Sequence, residues 1–225
     1  MDTHELTDLR LEYSRVGLSA ADLAADPIEQ FRSWLAAWHE VAVGDPDAMV
    51  VATATPDGRP SVRTVLLRQA DERGFVFFTN YEGRKGRELS ANARAALLFS
   101  WHPVGRQVII EGPAAALTRD ESDAYWATRP RGSQIAGAAS PQSRVVADRA
   151  ELERRWAEVE AAHAGRDVPR PDHWGGFRVS PERVEFWQQR EMRLHDRLVY
   201  RRDPSGSGSG SAPAASGWLV ERLAP

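Results

Sequence analysis

The chain has no cysteine among its 225 residues, which excludes disulfides, thiolate catalysis and cysteine-ligated metals and fits a reducing compartment. It has no apolar run long enough to span a membrane. Its opening, MDTHELTDLRLEY, lacks the apolar core of a secretion signal. There is no basic surplus either: 29 Lys and Arg against 32 Asp and Glu give a formal net charge of −3. That balance argues against a general polyanion binder, so any positive patch must be local. No G-x-G-x-x-G precedes a helix and no G-x-x-x-x-G-K-[ST] loop occurs. H-E-x-x-H and G-x-S-x-G are absent as well. The six histidines, His4, His39, His102, His163, His173 and His195, are scattered without metal-ligand spacing, and no metal site is expected. A soluble, cytoplasmic protein with neither a nucleic-acid nor a membrane partner is the expectation.

What is present is a succession of short strands. Residues 1–25 are polar and Ala-rich and read as a mobile segment with one short helix around Leu9 to Val16. The first firm element begins at DPIEQFRSWLAAWHEVAV, where Asp26 is a good N-cap, Pro27 suits the first helical position and Glu29 stands where a capping box needs it. Ile28, Phe31, Leu35 and Trp38 recur at helical spacing, which predicts one buried face. AMVVATAT, SVRTVLLR, FVFFTN, AALLFSW and RQVIIEGPAAAL then read as strands between tight turns, with GRKGRELSANARA helical. Helices follow at RDESDAYWATRP, near Ser133 to Ala138, and at DRAELERRWAEVEAAH. WGGFRVSP, RVEFWQQ, RLHDRLVYRR and GWLVERLAP return to strands. The Gly/Ser-rich stretch at 204–217 reads as a flexible hairpin insertion. The expectation is a single domain over 26–225, mainly β with peripheral helices (α+β), its antiparallel strands forming a barrel.

The chemistry lies in arginines placed in strands. Arg63 shares a face with Val65 and Leu67, whereas Arg68 points the other way. An arginine in an apolar strand is costly to bury unless it is paired. Arg84 and Lys85 sit between glycines after a strand, and Tyr125, Arg129 and Ser133 follow one another at a four-residue pitch. Each set alone reads as surface. Together they supply the guanidiniums, hydroxyls and ammonium that hold phosphate monoesters, in numbers sufficient for two phosphates. In REMRLHDRLVY, Arg193, His195 and Arg197 alternate as on one face of a strand, with Leu194 and Leu198 opposite. Three cations in a row call for an anion.

At this point the chain resembles the pyridoxamine 5′-phosphate oxidases. The matching residues run nearly end to end: ADP before the first helix, AMVVAT, RTVLLR, GFVFFTNYEGRKGREL, LLFSWHPVGRQVIIEG, YWATRPRGSQIAGAAS, PQSR, WGGFRVSPERVEFWQ, RLHDR and the terminal RLAP. The resemblance implies a split barrel of antiparallel strands, a homodimer, and FMN held at the subunit interface. It assigns flavin contacts to Arg63, Thr64, Val65, Leu66 and Leu67, to Phe78 and Thr79, to Arg84 and Lys85, to Gln107, Gln142 and Ser143, and to Trp187 and Arg197. The substrate phosphate falls to Arg68, Tyr125, Arg129 and Ser133. Arg193 and His195 face the pyridine ring as catalytic residues, and Arg10 and Tyr13 match a lid over the substrate, the possible role of segment 1–25. The implied reaction, in vitamin B6 biosynthesis or salvage, oxidises C4′ of pyridoxamine 5′-phosphate or pyridoxine 5′-phosphate to pyridoxal 5′-phosphate. A hydride equivalent passes to flavin N5, O2 is the acceptor, and H2O2 is released, with NH3 from the amine.

The chain departs from the family pattern in three places. Arg68 replaces a common lysine, Leu11 replaces a basic residue, and WQQREMRLHDR is bulkier than the expected Gly-containing version. Three other readings compete: a phenazine-pathway oxidase, a deazaflavin-dependent reductase, and a non-catalytic flavin or pyridoxal-phosphate carrier. The first two do not need a clamp made of Tyr125, Arg129 and Ser133. The third would bind ligand without flavin reduction by substrate.

Overall fold

A computed structural model of the chain describes residues 3–42, 44–203 and 217–225. The insertion expected at 204–217 lies, except for Gly217, outside the described residues. In order, the elements are α1 (Thr3–Val16), α2 (Pro27–His39), β1 (Ala48–Ala54), β2 (Pro60–Leu66), β3 (Gln69–Asp71), β4 (Gly74–Asn80), α3 (Arg84–Ala91), β5 (Arg94–Trp101), β6 (Arg106–Ala116), α4 (Arg119–Thr128), α5 (Arg131–Ala139), α6 (Arg149–Ala162), β7 (Trp174–Val179), β8 (Arg183–Gln188), β9 (Asp196–Arg202) and β10 (Trp218–Arg222). The strands pair antiparallel in the order β10-β9-β8-β6-β5-β1-β2, and a branch of β3, β4 and β7 returns to β6.

The branch point makes the fold a half-open barrel. Arg106 to Glu111 of β6 pair with β8, whereas Ala114 to Ala116 pair with β7. The switch falls at Gly112–Pro113. A Cβ on Gly112 would lie 1.9 Å from the Ser180 carbonyl oxygen, so only glycine lets the strands approach there. Pro113 has no N–H to leave unpaired, and its carbonyl accepts from the Ser180 amide at 2.9 Å.

Alternation along the strands sorts the two faces of the sheet. Met49, Val51, Leu97, Phe99, Val108, Ile110 and Phe186 point inward and are buried. They enclose Phe31 of α2, whose ring meets Phe75 and Phe99 edge-on at 4.9 and 4.7 Å. Asp26 caps α2 as expected, accepting from the amides of Ile28 and Glu29 at 2.7 and 3.3 Å, while the Glu29 side chain does not complete the capping box. On the opposite face of β1, β2 and β5, Val62 and Thr64 are exposed and Val50, Ala52, Ala96 and Leu98 are half-buried, with no helix among the described residues laid over them. Cross-strand rows there read Val62–Ala52–Ala96 and Thr64–Val50–Leu98–Ile109, then turn charged at Glu111, Arg183, Glu185 and Arg201. Val62 is 67% exposed.

Three expectations need correction. Helix α1 begins at Thr3 rather than near Leu9, and Leu6, Leu9 and Tyr13 pack its inner face on the core, so the segment is docked. The short strand β3 lacks an alternating apolar pattern and was not predicted. The proposed strand through Arg193 does not exist. Residues 191–193 form a 3-10 turn, Met192 and Arg193 have φ of 55° and 65°, and β9 starts only at Asp196. Leu198 is buried, but Leu194 is 66% exposed, so the two do not share an inward face.

Candidate active site

The first cavity, of about 490 Å³, opens along the free edge of β2. Because β2 pairs with β1 alone, the peptide groups of Thr64 to Leu66 on that edge are left to the cavity. Phe78, Tyr125 and Trp174 wall it with near-parallel rings, Phe78 stacking on Tyr125 at 3.7 Å and on Trp174 at 5.5 Å. Thr79, Lys85, Gln142, Arg68, Arg129 and Ser133 supply its polar lining. Tyr125 lies in α4, Arg129 caps that helix, and Ser133 is in the first turn of α5. The break at Pro130 therefore lets the four-residue pitch of the sequence converge on one space.

The cations here are short of counter-charge. Lys85 is buried, and its ammonium donates to Thr79 Oγ1 and Gln142 Oε1, both at 2.9 Å. An ammonium has a third N–H to offer, and no carboxylate among the described residues pairs with it. Burial, with nearby Arg63 adding to it, pushes its pKa down from 10.5 to about 8. The Arg129 guanidinium lies 4.4 Å from the Trp174 ring and 5.1 Å from Trp126, and its Nη1 is buried without an acceptor. Burial lowers the Arg129 pKa, as does Arg68, while Tyr125 opposes. Arg68 is exposed and pairs with no carboxylate among the described residues.

Arg63 and Arg84 stand beside this cavity and share one acid. Glu88 lies 3.5 Å from Arg63 Nη2 and 2.8 Å from Arg84 Nε, and it also accepts from Thr53 and Ser61. Burial alone would raise the Glu88 carboxyl, but the hydrogen bonds from Ser61, Thr53 and Arg84 outweigh it and hold the pKa at about 2. Ser143 is exposed in a left-handed turn with φ of 66°. The Leu67 side chain belongs to the core and its amide is bonded to the Asp47 carbonyl.

Of the remaining predicted residues, Arg10, Trp187, Arg193 and His195 line a second cavity of about 560 Å³, together with His102 and Gln189 among others. Gln107, Trp187 and Arg197 form one cross-strand row of β6, β8 and β9. Arg197 grips Glu185 at 2.7 and 3.1 Å. Burial would raise Glu185, yet bonds from Arg197 and Arg183 keep it below the usual carboxylate range. Tyr13 lines neither cavity: its ring lies under the Arg106 guanidinium, 3.6 Å away, with Trp34 on the same group at 4.3 Å. From β2 to β8 there are four strand steps, roughly 19 Å along the sheet, so the two cavities are built on well-separated strands of the chain. Sequence reasoning missed Trp174, Glu88 and Glu185, and of these only Glu88, four residues after Arg84, carried a readable signal.

Residues 35–163 match the family described as pyridoxamine 5′-phosphate oxidase, and residues 174–225 match the pyridoxine 5′-phosphate oxidase C-terminal dimerisation region. The chain belongs to the pyridoxamine 5′-phosphate oxidase family. It is 58% identical over 202 residues to the pyridoxine/pyridoxamine 5′-phosphate oxidase of Rubrobacter xylanophilus, covering 90% of this chain and 93% of that protein. Its identity to the same-named protein of Salinibacter ruber is 52%, over 98% and 99% of the two chains. Among solved structures it is similar to PhzG from Burkholderia lata in complex with tetrahydrophenazine-1-carboxylic acid, with TM-score 0.82, 35% identity, and 92% and 96% coverage. A pyridoxamine 5′-phosphate oxidase-related, FMN binding protein from Nostoc punctiforme shares the fold at TM-score 0.67 and 15% identity, over 90% of this chain and 100% of that one. In this oxidase family, then, the chain has the split-barrel fold.

Proposed function

We propose that the protein oxidises pyridoxamine 5′-phosphate and pyridoxine 5′-phosphate to pyridoxal 5′-phosphate as an FMN-dependent homodimer. The observation that carries this reading is a single cavity with two cationic ends short of counter-charge, Lys85 at one and Arg68 with Arg129 at the other, walled by flat aromatic rings. That donor set fits two phosphate monoesters on two planar ring systems. Bound FMN would supply the two-electron acceptor, taking a hydride equivalent from C4′ at N5 and passing the electrons to O2 to give H2O2.

The chain's own residues do the holding. Lys85, Arg63 and Arg84 bind the cofactor phosphate, and the free edge of β2 offers peptide groups to the ring. Arg68, Tyr125, Arg129 and Ser133 bind the substrate phosphate, fixing C4′ at the reacting distance, a proximity effect of up to several kcal/mol. Arg193 and His195 come from the partner's second cavity, because only a second copy seated on the open face of β1, β2 and β5 can carry them to the first. His195 Nδ1 accepts the Arg190 amide at 3.1 Å, so the neutral ring offers an Nε2–H donor to the substrate's ring oxygen. With the amine substrate, hydrolysis of the oxidised product releases NH3.

The similarity to PhzG favours one alternative, oxidation of a tricyclic carboxylate with no phosphate. Anaerobic addition of pyridoxamine 5′-phosphate to the FMN-loaded protein should bleach the visible flavin band, and admitting air should restore it. Bleaching by tetrahydrophenazine-1-carboxylic acid, with none by either phosphorylated vitamer, would move the assignment to that alternative. No bleaching by any of the three, with FMN bound, would leave a non-catalytic carrier.

A further inference from the structure

The turn that carries Arg193 and His195 contains two consecutive left-handed residues with side chains, Met192 and Arg193. Such a backbone is disfavoured and persists only where its surroundings over-determine it. The residues on either side of it are tied to the N-terminal segment and to β10. From the middle of α1, Arg10 donates Nε and Nη2 to Gln189 Oε1 at 2.9 and 2.5 Å. Beyond the helix end, the Leu18 amide donates to Asp196 Oδ2 at 3.0 Å, and Arg190 Nη1 donates to the same oxygen at 3.3 Å. Asp196 Oδ1 accepts from Arg222 Nη1 of β10 at 2.5 Å, and Arg222 Nη2 closes the ring on the Leu18 carbonyl at 2.8 Å. Gly17 leaves room for this: its φ is +78° and a Cβ there would fall 1.4 Å from Arg190 Nη1. The Asp196 side chain is 15% exposed and takes donors from three separate segments of the chain.

We propose that Asp196 is a positioning residue that fastens α1 to the 189–195 turn, so that docking of the helix and the aim of Arg193 and His195 are one equilibrium. Gln189 and Arg190, the bulky residues in this stretch, supply the side chains of the fastening. Arg190 links its two ends, since its guanidinium meets Asp196 while its amide holds the His195 ring. Glycines at 189 and 190 would provide neither the Gln189 nor the Arg190 side-chain contact, although the amide at 190 would remain. Only the catalytic consequence rests on the proposed function; the mechanical coupling stands without it.

Hydrogen exchange by mass spectrometry on the FMN-loaded full-length protein tests the coupling directly. Asp196→Asn keeps an oxygen for Leu18 but removes the charge that holds Arg190 and Arg222. Exchange in 3–16 and in 189–195 should rise together by about tenfold, with β4 and β5 unchanged. Arg10→Ala, made at the far end of the contact, should speed exchange in 189–195 reciprocally. Faster exchange confined to β9 and β10, with α1 at its original rate, would overturn the proposal. Should Asp196→Asn fail to fold, Arg190→Ala carries the same expectation and the same refutation. In turnover with pyridoxamine 5′-phosphate, either variant should lower kcat about tenfold with FMN affinity unchanged. An unchanged kcat with a loosened helix would remove the catalytic half. Absence of turnover in the unmodified protein would count against the substrate assignment and leave the exchange result standing.

Discussion

Lys85 holds a positive charge where burial disfavours it, and the direction of its shift fixes a pH dependence. The unfolded chain keeps this proton up to 10.5, whereas the folded protein releases it near 8. The folded state is therefore penalised below pH 8 and recovers that stability as pH climbs from 8 towards 10.5. A bound phosphate supplies the missing counter-charge, so above pH 8 binding takes up a proton. FMN affinity should accordingly fall by up to about tenfold per pH unit above that point. Flavin fluorescence titrations at several pH values measure it. Lys85→Met should abolish the pH dependence and weaken FMN binding by roughly a hundredfold, while riboflavin, which lacks the phosphate, should respond to neither change. The basic half of the site was legible because arginine and lysine within apolar runs stand out. Of its acidic half only Glu88, four residues after Arg84, left a local mark; Glu185 meets Arg197 across two strands and nothing local marks that pair.

Most strands were legible because each run of β-branched and aromatic residues ends at a turn residue, and the structure keeps those runs as β1, β2, β4, β5, β6, β7 and β8. Where reading failed, a tertiary contact had overridden a local pattern. Alternating cations in REMRLHDR imitate a strand, but the stretch makes a left-handed turn whose flank at Gln189 is bonded to Arg10 of α1. The first turn of α1 looks too polar to fold, yet Leu6 extends the inward stripe of Leu9 and Tyr13. At β6 the sequence shows only a Gly-Pro pair, and the partner switch it permits depends on Ser180, far along the chain. Gly112→Ala should displace the Ser180 backbone and cost about 2 kcal/mol, a loss of roughly 5 °C for a domain of this size. Differential scanning calorimetry of the cofactor-free protein would show it, and an unchanged transition would mean that the close approach is not required.

At the scale of the whole molecule, the proposed function assigns the two cavities of one chain to different sites, each completed by a second copy that covers the open sheet face and brings the complementary set of side chains. Lys85→Met should cripple the first cavity and Arg193→Leu the second, the latter leaving FMN bound. Homodimers of either variant should be nearly inactive. A chain defective in one cavity can still lend its intact half to a partner defective in the other. Refolding equal amounts of the two variants together should then restore activity to roughly a quarter of the unmodified level, since half the pairs are hybrids with one sound site out of two. Paired lesions of this kind rescue each other, so the unit that mutation acts upon is the couple and not the chain.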